Sequence, residues 1–185
     1  PQPTLTCIKS PEFSQLSLLD PSWSMRDPVP YIDNQYTYFY GIEAMLKSRS
    51  GTIFAAGYRS DASGWVPVLH RSTDNGANWK FFALPDAPAG WGFVHSLAED
   101  AAGVLYAGGT RLWKSVDDGN TWKVVPGMPD TYWGGSLPIG HLVITKNNAL
   151  VASFGITGIY ASASLSLPYF YSKVYESADG GNTWK

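Results

Sequence analysis

From about residue 40 onward, short apolar runs alternate with punctuation by Gly, Asp, Asn and Ser. Ile42-Glu43-Ala44-Met45-Leu46, Thr52-Ile53-Phe54-Ala55-Ala56, Val66-Pro67-Val68-Leu69-His70 and Phe81-Phe82-Ala83-Leu84 are bounded in this way. Runs of that length between turn formers predict strands. No segment keeps an apolar i, i+3, i+4, i+7 pattern over three turns, so the chain predicts an all-β fold.

The pattern also repeats. Ser-x-Asp-x-Gly-x-Asn/Thr-Trp-Lys occurs at Ser72, Asp74, Gly76, Asn78, Trp79 and Lys80, then at Ser115, Asp117, Gly119, Thr121, Trp122 and Lys123, then at Ser177, Asp179, Gly181, Thr183, Trp184 and Lys185. An Asp two residues before a Gly suits a turn in which the carboxylate accepts backbone N–H groups and Gly adopts φ > 0. Apolar runs flank the motif, so it predicts a hairpin tip whose Trp enters the next strand and packs between neighbouring sheets. Aligning Gly51, Gly103 and Ala149 as turn positions superposes residues 42–46, 94–98 and 140–144 before the turn. The same alignment superposes 52–57, 104–109 and 150–155 after it, with Gly57, Gly109 and Gly155 in register. Each unit reads as four antiparallel strands, a to d, with the motif at the c–d turn, which is the blade of a β-propeller. The expected organisation is an N-terminal segment over 1–39, able to supply a ring-closing outer strand, and three blades over about 40–85, 93–126 and 139–185. Closed propellers have about four or more blades, so an incomplete ring is expected. Its completion would fall to the missing remainder of the propeller or to another copy of the chain.

Charged residues make up 15% of the chain and aromatic residues another 15%, which argues for a packed aromatic fold over disorder or a long solvated helix. The net charge of −2 comes without a basic run, so electrostatic binding of nucleic acid has no source. No apolar stretch approaches the roughly 20 residues of a membrane-spanning helix. Cys7 is the single cysteine, which excludes an intrachain disulfide and a cysteine-based metal site. Pro1-Gln2-Pro3-Thr4 lacks the charged and apolar regions of a signal peptide, so either none existed or the numbering starts after its removal, and the second fits a secreted family better.

Ser-x-Asp-x-Gly-x-Thr-Trp resembles the Asp-box, or bacterial neuraminidase repeat, of the sialidase-like superfamily. The box is shared by sialidases, some xyloglucan-cleaving hydrolases, sortilin-type receptors and a photosystem II assembly factor, so it speaks for fold more than for function. The resemblance implies boxes on the face opposite the active site, and hence a structural role for Asp74, Asp117 and Asp179. Residues 40–74 also resemble the first blade of sialidases in order and spacing, with Tyr40-Gly41-Ile42-Glu43 ten residues ahead of Gly51, then Arg59, Asp61 and the first box. The arginine that clamps the sugar carboxylate in sialidases would fall at Gly41 and the following proline at Glu43. A carboxylate there repels such a substrate instead of forming a charge-assisted fork, so the chain departs from sialidase chemistry. The resemblance places a second clamp arginine at Arg59 and an acid/base at Asp61.

With boxes at one end of the blades, the opposite face is built from d–a loops, b–c loops and the start of strand a. Glu43, His95 and His141 share one position in the alignment, and innermost strands would bring them to the central channel. Such a set suits hydrogen-bonded channel residues, general acid/base work with Glu43 and Asp61 as the catalytic candidates, or a divalent metal. No cofactor is otherwise implied. Arg59, Trp65, Trp91, Tyr132, Trp133 and Tyr160 lie in the same loops, where rings beside carboxylates suit sugars and, equally, the capping of gaps between blades. The leading expectation is an extracellular or cell-surface protein that binds or processes glycans on this face, as a glycoside hydrolase if an enzyme. The alternatives are a scaffold that docks other proteins and a structural repeat unit of a surface assembly.

Overall fold

The computed structural model describes residues 40–61, 64–87, 92–128, 131–132, 135–136, 138–155 and 172–185, and these contain strands and turns with no helix. The first sheet is β1 (Tyr40–Lys47), β2 (Ile53–Asp61), β3 (Gly64–Ser72) and β4 (Lys80–Ala83), in sequence order and antiparallel throughout. The second repeats that order with β5 (Val94–Glu99), β6 (Leu105–Gly109), β7 (Leu112–Ser115) and β8 (Lys123–Val124). A small hairpin, β9 (Thr131–Tyr132) with β10 (Gly135–Ser136), precedes the third sheet of β11 (Ile139–Ile144), β12 (Leu150–Gly155) and β13 (Ser172–Ser177). Lys185 exchanges both backbone hydrogen bonds with Glu176, at 2.9 and 3.0 Å, and so starts a fourth strand on that sheet.

The first strands of the sheets stand side by side, β5 packing against both β1 and β11. The sheets stack face to face as three blades of a β-propeller, and the core consists of the two seams between them. Phe54, Ala56, Leu69 and Leu84 of the first blade meet Val94, Leu105, Ala107, Trp113 and Trp122 of the second. Tyr106, Leu112 and Val125 of the second meet Ile139, Leu142, Leu150, Ala152 and Phe154 of the third. Alternation along each strand turns Met45 (65% exposed) and Val174 (69%) away from these seams. Trp122 packs between sheets as expected, meeting Phe54 of the first blade edge to face with ring centroids 6.4 Å apart, and Trp184 packs on the seam between the second and third blades while meeting Phe154 of its own sheet at 5.6 Å.

The box turns are closed hydrogen-bonded units. Ser115 Oγ donates to Asp117 Oδ1 at 2.8 Å and accepts the Gly119 N–H at 2.9 Å. Asp117 in turn accepts the Thr121 N–H at 2.8 Å and its hydroxyl at 2.7 Å. Boxes one and three repeat this around Ser72 with Asp74 and Ser177 with Asp179, at matching distances. Gly76, Gly119 and Gly181 have φ of 86°, 75° and 90°, and the preceding Asn75, Asp118 and Gly180 are left-handed too, at 62°, 54° and 69°. Ser115 is 2% exposed, so Ser115→Ala leaves a buried N–H unmet. It should destabilise the protein by about 1 to 3 kcal/mol in urea unfolding, and an unchanged midpoint would show that the turn is held without it.

Asp118 carries a contact that the repeat pattern does not show. Its carboxylate accepts hydrogen bonds from Thr52 at 2.6 Å, Ser50 at 2.8 Å and Arg71 Nη2 at 2.9 Å, all on the first blade. Partial burial pushes this carboxyl up, but the hydrogen bonds from Thr52 and Ser50 and the bond and charge of Arg71 outweigh it, for a net downward shift. The a–b turns join as well, through Arg49 Nη1 to Ala101 O at 2.9 Å and Ala101 N to Asn148 Oδ1 at 2.6 Å.

The third unit differs from the alignment by one residue. Gly51 N bonds to Ser48 O, Gly103 N to Asp100 O and Asn148 N to Thr145 O, so Asn148 (φ 62°), not Ala149, is the equivalent of Gly51 and Gly103. Asn tolerates the left-handed region through local side-chain hydrogen bonding, and so replaces Gly at this turn. Phe154 then takes the register of Gly57 and Gly109 in place of Gly155, and Gly140, in place of His141, takes that of Glu43 and His95.

Candidate functional site

Each innermost strand carries a β-bulge, between Ile42 and Ala44, Val94 and Ser96, and Ile139 and His141. The extra residues are Glu43, His95 and Gly140. A bulge lifts one residue out of the ladder and re-aims its side chain, which is why such kinks accumulate beside functional sites. In the first two blades it also brings a carbonyl over the neighbouring strand: a Cβ on Gly57 would lie 1.7 Å from Gly41 O, and one on Gly109 1.8 Å from Phe93 O.

Glu43 and His95 meet through Oε2 and Nδ1, joining the first two blades. The pair is mostly enclosed yet reachable, with 33% of the Glu43 side chain and 20% of that of His95 exposed. The His95 ring stacks on Phe93 at 5.4 Å and 16°. Phe93 meets Trp65 at 5.0 Å and Tyr58 at 5.4 Å, and Tyr58 and Trp65 lie 5.6 Å apart, so one aromatic wall closes the seam. The Gly92 N–H donates to Trp65 O at 2.7 Å and fixes the wall to the backbone. This end of the strands is four to five residues from the box rungs, roughly 13 to 17 Å at about 3.3 Å per residue.

The expected site residues separate accordingly. Glu43, His95 and Trp65 come together. His141 is exposed and opposite Ser153, one residue away from the shared position, so the three-residue set of Glu43, His95 and His141 is not formed at one register. Among the described residues no group of three or more His, Cys, Asp or Glu is placed to hold a metal ion. Arg59 lies on the other face of β2 from Tyr58, with its guanidinium 5.5 Å from the centre of the Phe81 ring. Asp61 ends β2 opposite Gly64. Its side chain, that of Tyr132, and Trp91, Trp133, Tyr160 and 1–39 as a whole lie outside the described residues. At Gly41, where the sialidase resemblance places an arginine, a Cβ would lie 2.3 Å from the Tyr58 ring, so a side chain there requires that ring to move. The sequence reads Tyr58 and Phe93 into the loops whose aromatic rings suit sugar recognition, although neither is among the expected site residues. The box carboxylates, by contrast, each accept three hydrogen bonds from their own turns.

No family model matches the chain. It is 29% identical over 189 residues to the xyloglucanase Xgh74A of Acetivibrio thermocellus, in an alignment that covers 85% of this chain and 21% of that protein. A second curated sequence of the same name and organism matches equally. The chain thus spans about a fifth of the length of the curated relatives it matches. The solved structure of a GH74 enzyme from Niastella koreensis is similar over 78% of this chain and 29% of that one, with 19% identity and a TM-score of 0.44.

Proposed function

We propose that this chain is part of an extracellular β-propeller that binds or processes glycans at the end of its blades opposite the boxes. The observation that carries the reading is the Glu43 and His95 pair, set into an aromatic wall of Tyr58, Trp65 and Phe93 at that end. A pyranose offers an apolar C–H face to a ring and hydroxyls to a carboxylate and an imidazole, and the weak net charge of −2 suits a neutral ligand. The similarity to a xyloglucanase supports the same substrate class. Glycoside hydrolysis needs two carboxyl groups about 5 to 9.5 Å apart, and Glu43 and Asp61 are the candidates we carry forward for it. Binding needs only the wall and the pair, and is the part of the reading that the geometry supports best.

Titration calorimetry of the protein with xyloglucan oligosaccharides tests it. Trp65→Ala should weaken binding by about 1 to 2 kcal/mol, the scale of one lost ring contact. Affinity should hardly change between low and physiological salt, because no charge is neutralised. A correctly folded protein that binds no oligosaccharide would remove the glycan reading. A docking scaffold is the second reading, favoured by the exposed Met45, Phe81, Val143 and Val174, which suit further blades or another copy of the chain.

A further inference from the structure

We propose that Glu43 is a positioning residue for His95: it holds the imidazole as the Nδ1–H tautomer and so presents Nε2 as the acceptor for a hydroxyl of a neutral polyhydroxylic ligand. The ligand half rests on the glycan reading above, whereas the tautomer half does not.

An ionised carboxylate has no proton to donate, so the ring nitrogen facing Glu43 Oε2 carries the hydrogen. A neutral imidazole then has one lone pair left, on Nε2. Among the described residues Nε2 has no hydrogen-bond partner, Glu43 being the polar contact of this ring. The ring plane is set independently by the stack on Phe93, which is itself wedged against Tyr58 and Trp65. The stack thus sets the ring plane and the carboxylate bears on the tautomer of one imidazole, an arrangement familiar from carboxylate-oriented histidines that ligate or transfer protons through the other nitrogen. With 20% of its side chain exposed, His95 stays within reach of a ligand. An acceptor nitrogen selects a donor, and a sugar hydroxyl beside an aromatic wall is a donor of the right kind.

Long-range ¹⁵N–¹H correlation spectra of the ligand-free protein at neutral pH read the tautomer directly. The unmodified protein and Glu43→Gln, whose amide oxygen still accepts, should show His95 protonated at Nδ1. Glu43→Ala should show the Nε2–H form that free imidazole prefers in water. A wild-type His95 protonated at Nε2, or a tautomer indifferent to Glu43→Ala, would overturn the proposal. Titration with a xyloglucan oligosaccharide tests the ligand half: Glu43→Ala should weaken binding about tenfold, the worth of one hydrogen bond, and Glu43→Gln should restore most of it at equal melting temperature. Unchanged affinity despite a reversed tautomer would overturn that half. If the unmodified protein binds no oligosaccharide, the glycan reading and this half fall together, and the spectra still decide the positioning role.

Discussion

Replacing Trp113 by alanine should lower the unfolding free energy by about 3 to 5 kcal/mol, the range for deleting a large buried aromatic side chain. Trp113 is 0% exposed, stands on β7 between Ala107 and Val124, and packs in the seam with Phe54, Leu69 and Leu84 of the preceding blade. Its indole N–H donates to Pro85 O at 2.8 Å, which ties the second blade to the chain leaving the first. Whole-domain stabilities are commonly about 5 to 15 kcal/mol, so the variant stands to lose a large share of the total. Trp113→Phe keeps most of the ring contact, gives up the hydrogen bond and should fall between the two. Urea unfolding of the three proteins checks the order. A Trp113→Ala midpoint equal to that of the parent would mean that the seams do not hold the blades together.

Acid should weaken the box face in a defined window. Hydrogen bonds from the Asn78 backbone and side chain, and from Ser72, bring the Asp74 carboxyl down to about 2. The Thr121 hydroxyl and N–H, with Ser115, bring Asp117 to about 2, and Thr183 and Ser177 do the same for Asp179. A carboxyl depressed in the folded state contributes stability that is fully present above its ordinary value near 3.8 and is lost as pH falls through about 2. Between roughly pH 4 and pH 2 the unfolded chain therefore binds more protons than the native one, and unfolding free energy rises with pH. Asp117→Asn removes one titrating group while keeping an amide oxygen for the Thr121 N–H. Its slope of stability against pH should be shallower by up to one proton in that window and unchanged near neutrality. Equal slopes would show that Asp117 titrates alike in both states.

Strand order and the box turns could be read from the repeat because their causes are local: a carboxylate two residues ahead of a Gly, and apolar runs on either side. The third unit slipped by one because Asn148 occupies a left-handed position that Gly holds in the other two, and Ala149 beside it was taken for the equivalent. That slip put His141 where Gly140 stands. The bulges left no mark of their own in the residue pattern, since a bulge is a property of two strands in register, although Gly57 and Gly109 record the carbonyls that press on them. The bond network of Asp118 was likewise invisible, because its partners Ser50, Thr52 and Arg71 are 47 to 68 residues away in the chain. The alignment alone placed Glu43 and His95 at one position, together with His141. Their contact depends on how β1 and β5 lie together.

The bulge on the innermost strand separates two duties that a regular strand would join. The lifted residue has no partner in the ladder of β1 with β2, β5 with β6 or β11 with β12, and at Glu43 and His95 its side chain instead meets the neighbouring blade. The three blades carry Glu, His and Gly at that one place, on strands of otherwise similar build. Successive copies of one supersecondary unit can thus diverge in chemistry at a single address while the frame around it is inherited unchanged. A search for altered specificity in this protein would begin by randomising 43 and 95 together, the two lifted positions whose side chains are partly exposed.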